Sequence, residues 1–150
     1  MSVKTRGVII FSVFLVIFYS LFFFTKLSIA GGDYGSCLCT VISVYDGDTF
    51  RCNIDSYQPI IGKNIGIRVG GIDTPEINDK RESIRAIATY AKLYLESRLL
   101  TAETVELRNM RRGKYFRIVA DVYVDGCNIS KELISLGLAR EYYGGTKVEW

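Results

Sequence analysis

The sequence predicts an α+β domain, mainly β, in which five short strands and two helices form a small, partly open barrel behind a hydrophobic N-terminal segment. Three observations lead there. Apolar residues alternate over short runs bounded by glycine and aspartate, one longer segment repeats its apolar residues at three and four, and the first 30 residues differ in kind from the rest. At 150 residues, 49% hydrophobic and 13% aromatic, the chain can bury one sizeable core and is not predominantly disordered.

The N-terminal segment comes first. Lys4 and Arg6 precede Val8 to Phe24, an uncharged run of 17 residues, and Lys26 and Ser28-Ile29-Ala30 lead to Gly31-Gly32. Basic residues, an apolar stretch and small residues are the layout of an export signal cleaved after Ala30. The run is long for such a signal, about 7 to 15 residues, and short for a membrane span, about 20. Two readings stay open: a signal peptide over 1–30 releasing residues 31–150 as a secreted or periplasmic domain, or an anchor through residues 8–24 that holds the domain at the membrane. Both put that domain outside the cytoplasm. A buried core helix is disfavoured, because nothing else in the chain could surround so uniform a segment.

Within 31–150, Cys39 to Tyr45 and Thr49 to Ile54 are predicted strands flanking the turn Asp46-Gly47-Asp48. Ile65 to Ile72 alternates as far as Val69, with Gly70-Gly71 as a bend. From Glu82 to Leu100 the residues Ile84, Ile87, Ala88, Ala91, Tyr94, Leu95 and Leu99 form one helical stripe. Val105 to Leu107 and Arg117 to Val124 are strands, the second closed by Asp125-Gly126. Ser130 as N-cap, Glu132 in the first turn and Gly137 after the last turn bound a second helix. The sequence contains neither an internal repeat nor a low-complexity linker.

Charge needs a correction. Removing Lys4, Arg6 and Lys26 from the 19 basic residues leaves 16, equal to the 16 acidic ones, all of which follow residue 30. The domain is formally neutral, so a nucleic-acid partner must be met by a local patch. One candidate is Arg108, Arg111, Arg112, Lys114 and Arg117, ten positions without an acid; a solvated hairpin tip explains the same run. Cys37, Cys39, Cys52 and Cys127 suggest one or two disulfides in an oxidising compartment, with connectivity open. A hairpin centred on Gly47 places Cys39 and Cys52 on opposite faces unless a bulge intervenes, and Cys52 alternates with Phe50 and Ile54 as a core residue would. One Cys-x-Cys pair without histidine is not a zinc set.

The chemistry gathers around Asp46-Gly47-Asp48 and Arg68 with Asp73-Thr74-Pro75-Glu76. Pro75 fixes its own φ and biases Thr74 towards an extended conformation, which stiffens the loop. Asp48, Asp73 and the Thr74 carbonyl would give three oxygens to a hard cation such as calcium, which takes six to eight. With no histidine in the chain, nucleases relying on histidine and Ser-His-Asp hydrolases are excluded.

The motifs DGDT (46–49), RVGGIDTPE (68–76), KYFR (114–117) and GLAREYYGG (137–145) occur in this order. Together they resemble the staphylococcal nuclease, or thermonuclease, family from about Val41 to Tyr143. The resemblance implies a five-stranded OB-like barrel and calcium-dependent hydrolysis of DNA and RNA, with single strands the expected preference and a monomer the expected state. It implies Asp48, Asp73 and Thr74 as Ca2+ ligands, Glu76 as general base or water-orienting group, and Arg68 and Arg117 as cationic clamps. Lys114, Tyr115 and Tyr143 would line the nucleotide site. Two departures stand out: Gly113 and Phe116 replace an acid and a glycine that the family often has, so altered loop geometry and substrate preference are expected. The C-terminal helix of the best-known member has no counterpart before Trp150, which is expected to bear on stability.

Each residue also has a plainer explanation. Asp48 can cap a turn, Asp73 and Glu76 can cap a helix after Pro75, and the arginines, Lys114 and the tyrosines can be solvent-facing. An exported OB module that binds single-stranded nucleic acid without cutting it is the alternative function. Three acids facing a polyanion weigh against it. A structural envelope component would leave the motifs unused.

Overall fold

The computed structural model describes residues 35–150, so the expected signal or anchor, residues 8–24 included, lies outside the described residues. Among the described residues no helix is long and apolar enough to cross a membrane. The strands are β1 (Cys37–Leu38), β2 (Thr40–Val44), β3 (Thr49–Asn53), β4 (Ile65–Val69), β5 (Ile72–Asp73), β6 (Val105–Arg112), β7 (Arg117–Val124), β8 (Cys127–Asn128) and β9 (Arg140–Glu141). The helices are α1 (Pro59–Gly62), α2 (Glu82–Leu100) and α3 (Ile129–Ser135). The five longer strands are those expected; β1, β5, β8 and β9 are two-residue additions, and α1 is a single turn with Pro59 at its start.

A mixed seven-stranded sheet runs β1-β6-β7-β4-β3-β2, with β8 attached to β7; β5 and β9 form a separate pair. This is an α+β half-barrel with three helices. Neighbouring strands are antiparallel except β4 and β7, whose parallel register sets Gly66 beside Arg117 and Arg68 beside Val119. The intervening chain supplies the long crossover that a parallel pair needs. Phe50, Ile54, Ile67, Leu95, Leu107, Val122, Ile129 and Leu133 are fully buried at its centre. Each such side chain contributes about 1.5–3 kcal/mol relative to exposure. Helix α2 turns Ala88, Ala91, Leu95 and Leu99 inward, the predicted stripe. Ala91 is small where α2 meets the β2–β3 turn: a Cβ on Gly47 would lie 2.7 Å from Ala91 Cβ.

Four expectations change. The N-cap of α3 is Asn128, whose side chain accepts from Lys131 N, whereas Ser130 lies inside the helix and donates to Gly70 O at 2.9 Å. Ser130 thereby holds the Gly70-Gly71 bend. No helix follows Pro75 directly; α2 starts at Glu82 with Arg81 as its N-cap, so Asp73 and Glu76 are not caps. Strand β6 continues to Arg112, because its register with β7 shifts between Arg108 and Arg111, where Asn109 takes a positive φ of 50°. Finally, a bulge between Val41 and Ser43 pairs Val41 with Cys52. It moves Cys39 onto the face of Cys52. All four cysteines are free thiols.

Candidate active site

The β2–β3 turn assigns different work to its two acids. Tyr45 N and Asp46 N donate to Thr49 O at 2.9 and 3.2 Å, and Asp48 N donates to Asp46 Oδ1 at 3.1 Å. Asp46 thus closes an Asx-type turn. Asp48 is left pointing inward, 1% exposed.

Every acceptor site of the Asp48 carboxylate is in use. Oδ1 accepts from the Thr49 hydroxyl at 3.0 Å and from Arg68 Nη1. Oδ2 accepts from both the main-chain N–H and the hydroxyl of Thr74, at 3.1 Å each. A carboxylate has about four lone-pair sites, so this one is saturated. Burial raises its pKa to about 7 against the opposing pull of Arg68. The fold therefore holds a desolvated acid that gains from a nearby cation.

Arg68 bridges the two candidate metal ligands. It leaves β4 beside Thr49 of β3, and its Nη2 donates to Asp73 Oδ1 at 3.0 Å and to Ile72 O at 3.3 Å. Asp73 is placed by β5, which pairs with β9 through Asp73 and Arg140. Lys147 continues the chain of charges: its Nζ lies 2.9 Å from Asp73 Oδ1 and 3.1 Å from Glu76 Oε1. Partial burial works against its charge, yet Asp73 and Glu76 hold its pKa above the ordinary value. Asp73 Oδ2 makes no hydrogen bond with any described residue.

Asp48, Arg68, Asp73 and Thr74 thus converge, and Glu76 joins them through Lys147. Among the described residues, Arg117 makes no hydrogen bond or ion pair with this group. It stands on β7 opposite Gly66, two residues before Arg68 on β4 and on the same face. Its stem covers Gly66, where a Cβ would meet Arg117 Cγ at 3.1 Å. Tyr143 comes close because Tyr142 N donates to Gly71 O, laying the Tyr143 ring over Gly71. Lys114 and Tyr115 are exposed at the β6–β7 turn, in which Arg117 N donates to Lys114 O. Tyr115 and Phe116 both take left-handed φ, 55° and 58°. Phe116 therefore occupies a conformation that glycine adopts without strain.

The donor set suits a hard cation: two carboxylates, one with an unengaged oxygen, and main-chain carbonyls nearby. Among the described residues no group of three or more His, Cys, Asp or Glu forms a metal cage. Water and substrate oxygens would have to complete the shell. Three contributors were missed by the sequence reading: Lys147, the Thr49 hydroxyl and the side-chain and N–H donors of Thr74. Thr49 and Thr74 stood inside the motifs, but Lys147 carried no local signal.

Known proteins resemble this chain in sequence. A family model described as staphylococcal nuclease homologue matches residues 66–149, more than half of the chain. A protein of Colletotrichum graminicola named "Probable endonuclease LCL3" is 37% identical over 93 residues, covering 59% of this chain and 34% of its own. A second of that name, from Podospora anserina, is 34% identical over 95 residues, with the same coverage. An "Uncharacterized endonuclease" of Haemophilus influenzae is 30% identical over 122 residues, 81% of this chain and 61% of that protein. The matches therefore span about a third of each fungal relative and under two thirds of the bacterial one.

Proposed function

This chain belongs to the staphylococcal nuclease homologue family, and from that premise we propose that it is a nuclease hydrolysing phosphodiester bonds of DNA and RNA with Ca2+, single strands being preferred. The observation that carries the proposal is the convergence of Asp48, Arg68, Asp73 and Thr74, with Glu76 one ion pair away. The endonuclease names of the relatives support the same reaction class.

Asp48, Asp73 and the Thr74 carbonyl would hold the cation. When bound, it supplies positive charge to the phosphoryl oxygens and polarises a water. Arg68, paired with both Asp48 and Asp73, has a planar fork that would grip the phosphate, and Arg117 stands on the same sheet face. Charge developing in the transition state meets both guanidiniums. Glu76, largely exposed and with its side chain paired to Lys147, accepts a proton from the attacking water or orients it. Lys114, Tyr115 and Tyr143 bind the substrate, the tyrosines offering exposed rings to bases.

The five longer strands support an OB-like barrel as the scaffold. The domain acts as a monomer, and outside the cytoplasm, released after Ala30 or anchored by residues 8–24; the N-terminal charge and hydropathy pattern supports that placement.

The test is incubation of the full-length chain with single- and double-stranded DNA and RNA, with calcium or with a chelator. Cleavage is expected with calcium and lost on chelation, and Glu76→Gln or Arg68→Ala lowers the rate by roughly 10³-fold or more. Tight binding by folded protein without cutting, in calcium, would identify a binding module instead.

A further inference from the structure

Two grooves meet at Arg111. One, of about 380 Å³, lies beside the candidate active site and is lined by Arg68, Arg111 and Tyr143. The other, of about 570 Å³, has walls from Tyr57, Ile61 and Phe116 and a rim of Arg111, Arg112 and Arg117. No aspartate or glutamate lines either groove. Arg117, the candidate clamp, lines the larger one.

We propose that the larger cleft is a base-binding subsite for single-stranded nucleic acid, accepting a nucleobase beyond the scissile phosphate while the arginine rim meets the adjoining phosphates. The proposal rests on the nuclease reading and adds to it a strand path from the reaction centre across Arg111. Three cations without an acid suit a polyanion, in a domain that is formally neutral as a whole. Apolar and aromatic walls suit the π-face that every base presents. The volume lies within the range of small-ligand sites, about 300 to 1,000 Å³. Backbone geometry argues in the same direction. Tyr115 and Phe116 keep bulky rings at left-handed φ on the hairpin tip, 88% and 63% exposed; strain of this kind persists where the surroundings or function demand it. A base paired in a duplex is stacked inside the helix and cannot enter, whereas a splayed strand can deliver one.

Fluorescence anisotropy of the full-length chain with labelled thymidine dinucleotide and octanucleotide, in chelator so that the strands stay whole, tests this. Phe116→Ala and Arg112→Gln are each expected to lower the ratio of octanucleotide to dinucleotide affinity about tenfold. Moving one abasic residue along the octanucleotide should reproduce the loss at a single position, with no further loss in Phe116→Ala. An unchanged ratio in both variants would overturn the subsite. So would a concentration-dependent dimer that Phe116→Ala dissociates, which would make the cleft an interface between copies. Cleavage with calcium alongside an unchanged ratio removes the subsite and leaves the nuclease standing; a chain that neither binds nor cuts removes both.

Discussion

The Thr74 hydroxyl and main-chain N–H both donate to Asp48 Oδ2, at 3.1 Å each, across 26 positions of sequence. The β2–β3 turn and the loop after β5 are locked together at the carboxylate that would bear the cation.

Thr74→Val keeps shape and removes one of those donors. It should destabilise the domain by about 1–2 kcal/mol, because a buried carboxylate loses a hydrogen bond, and Thr74→Ser should restore most of it. Urea unfolding of the three proteins measures this. Equal stability of the Val and Thr forms would mean that the hydroxyl does not hold Asp48.

Lys147 is placed to compete with a cation bound at Asp73, since its ammonium lies 2.9 Å from Oδ1. Its side chain is 47% exposed, so screening keeps the competition modest. Lys147→Met should tighten calcium binding by about fivefold, on the order of 1 kcal/mol, as read by calorimetric titration. Weaker binding in the variant would show Lys147 to be a support of the site.

Cys39 and Cys52 share a sheet face and are the pair expected to form a disulfide on oxidation. With oxidised glutathione as acceptor of two electrons, their two thiols should lose two protons and join, closing a short loop worth about 2–3 kcal/mol. Peptide mapping without reductant should recover the linked pair, with exposed Cys127 alkylated rapidly. Recovery of Cys52 as a thiol after oxidation, with Cys39 joined to Cys37, would contradict the register.

Helix α3 is fastened to α2 through Glu132, which accepts from Arg98 Nε and Nη2 at 2.8 and 2.9 Å and from Tyr94 Oη at 2.8 Å. Arg98, ahead of the smaller contribution of Tyr94, lowers the Glu132 pKa below the ordinary 4.5. A lowered folded-state value means that the unfolded chain binds the proton more tightly, so the stabilisation is present above pH 4.5 and fades as pH falls through the folded value. Glu132→Gln should cost about 2 kcal/mol near neutrality. The gap from wild type should narrow below pH 4.5, as followed by thermal melts. A gap independent of pH would assign the loss to packing.

What could be read in advance divides along sequence distance. The stripe from Ile84 to Leu99 gave α2 its limits, and the Asp46-Gly47-Asp48 turn was legible because one acid closes its own bend. Asn128 and Ser130 are both competent N-caps two residues apart. Only the fold, by needing a donor at Gly70 O, takes Ser130 away from capping. The opposed faces of Cys39 and Cys52 followed from a uniform register, and one extra residue near Ile42 reverses them. Arg108, Arg111 and Arg112 masked the length of β6, since outward charges on a strand look like a loop. Lys147 reaches Glu76 over 71 positions, and nothing near it in sequence announces the contact.

The close approach of Gly47 and Ala91 has an evolutionary side. Ala91 lies inside α2, yet a Cβ at 47 would lie 2.7 Å from the Ala91 Cβ and 3.0 Å from Thr74 Oγ1. In a drifting lineage, enlargement at either position would shift the bend that aims Asp48 before it emptied or split the core. The bend that aims Asp48 thus sets a constraint in the middle of a helix, and the room at residue 91 is fixed by a turn on the far side of the contact.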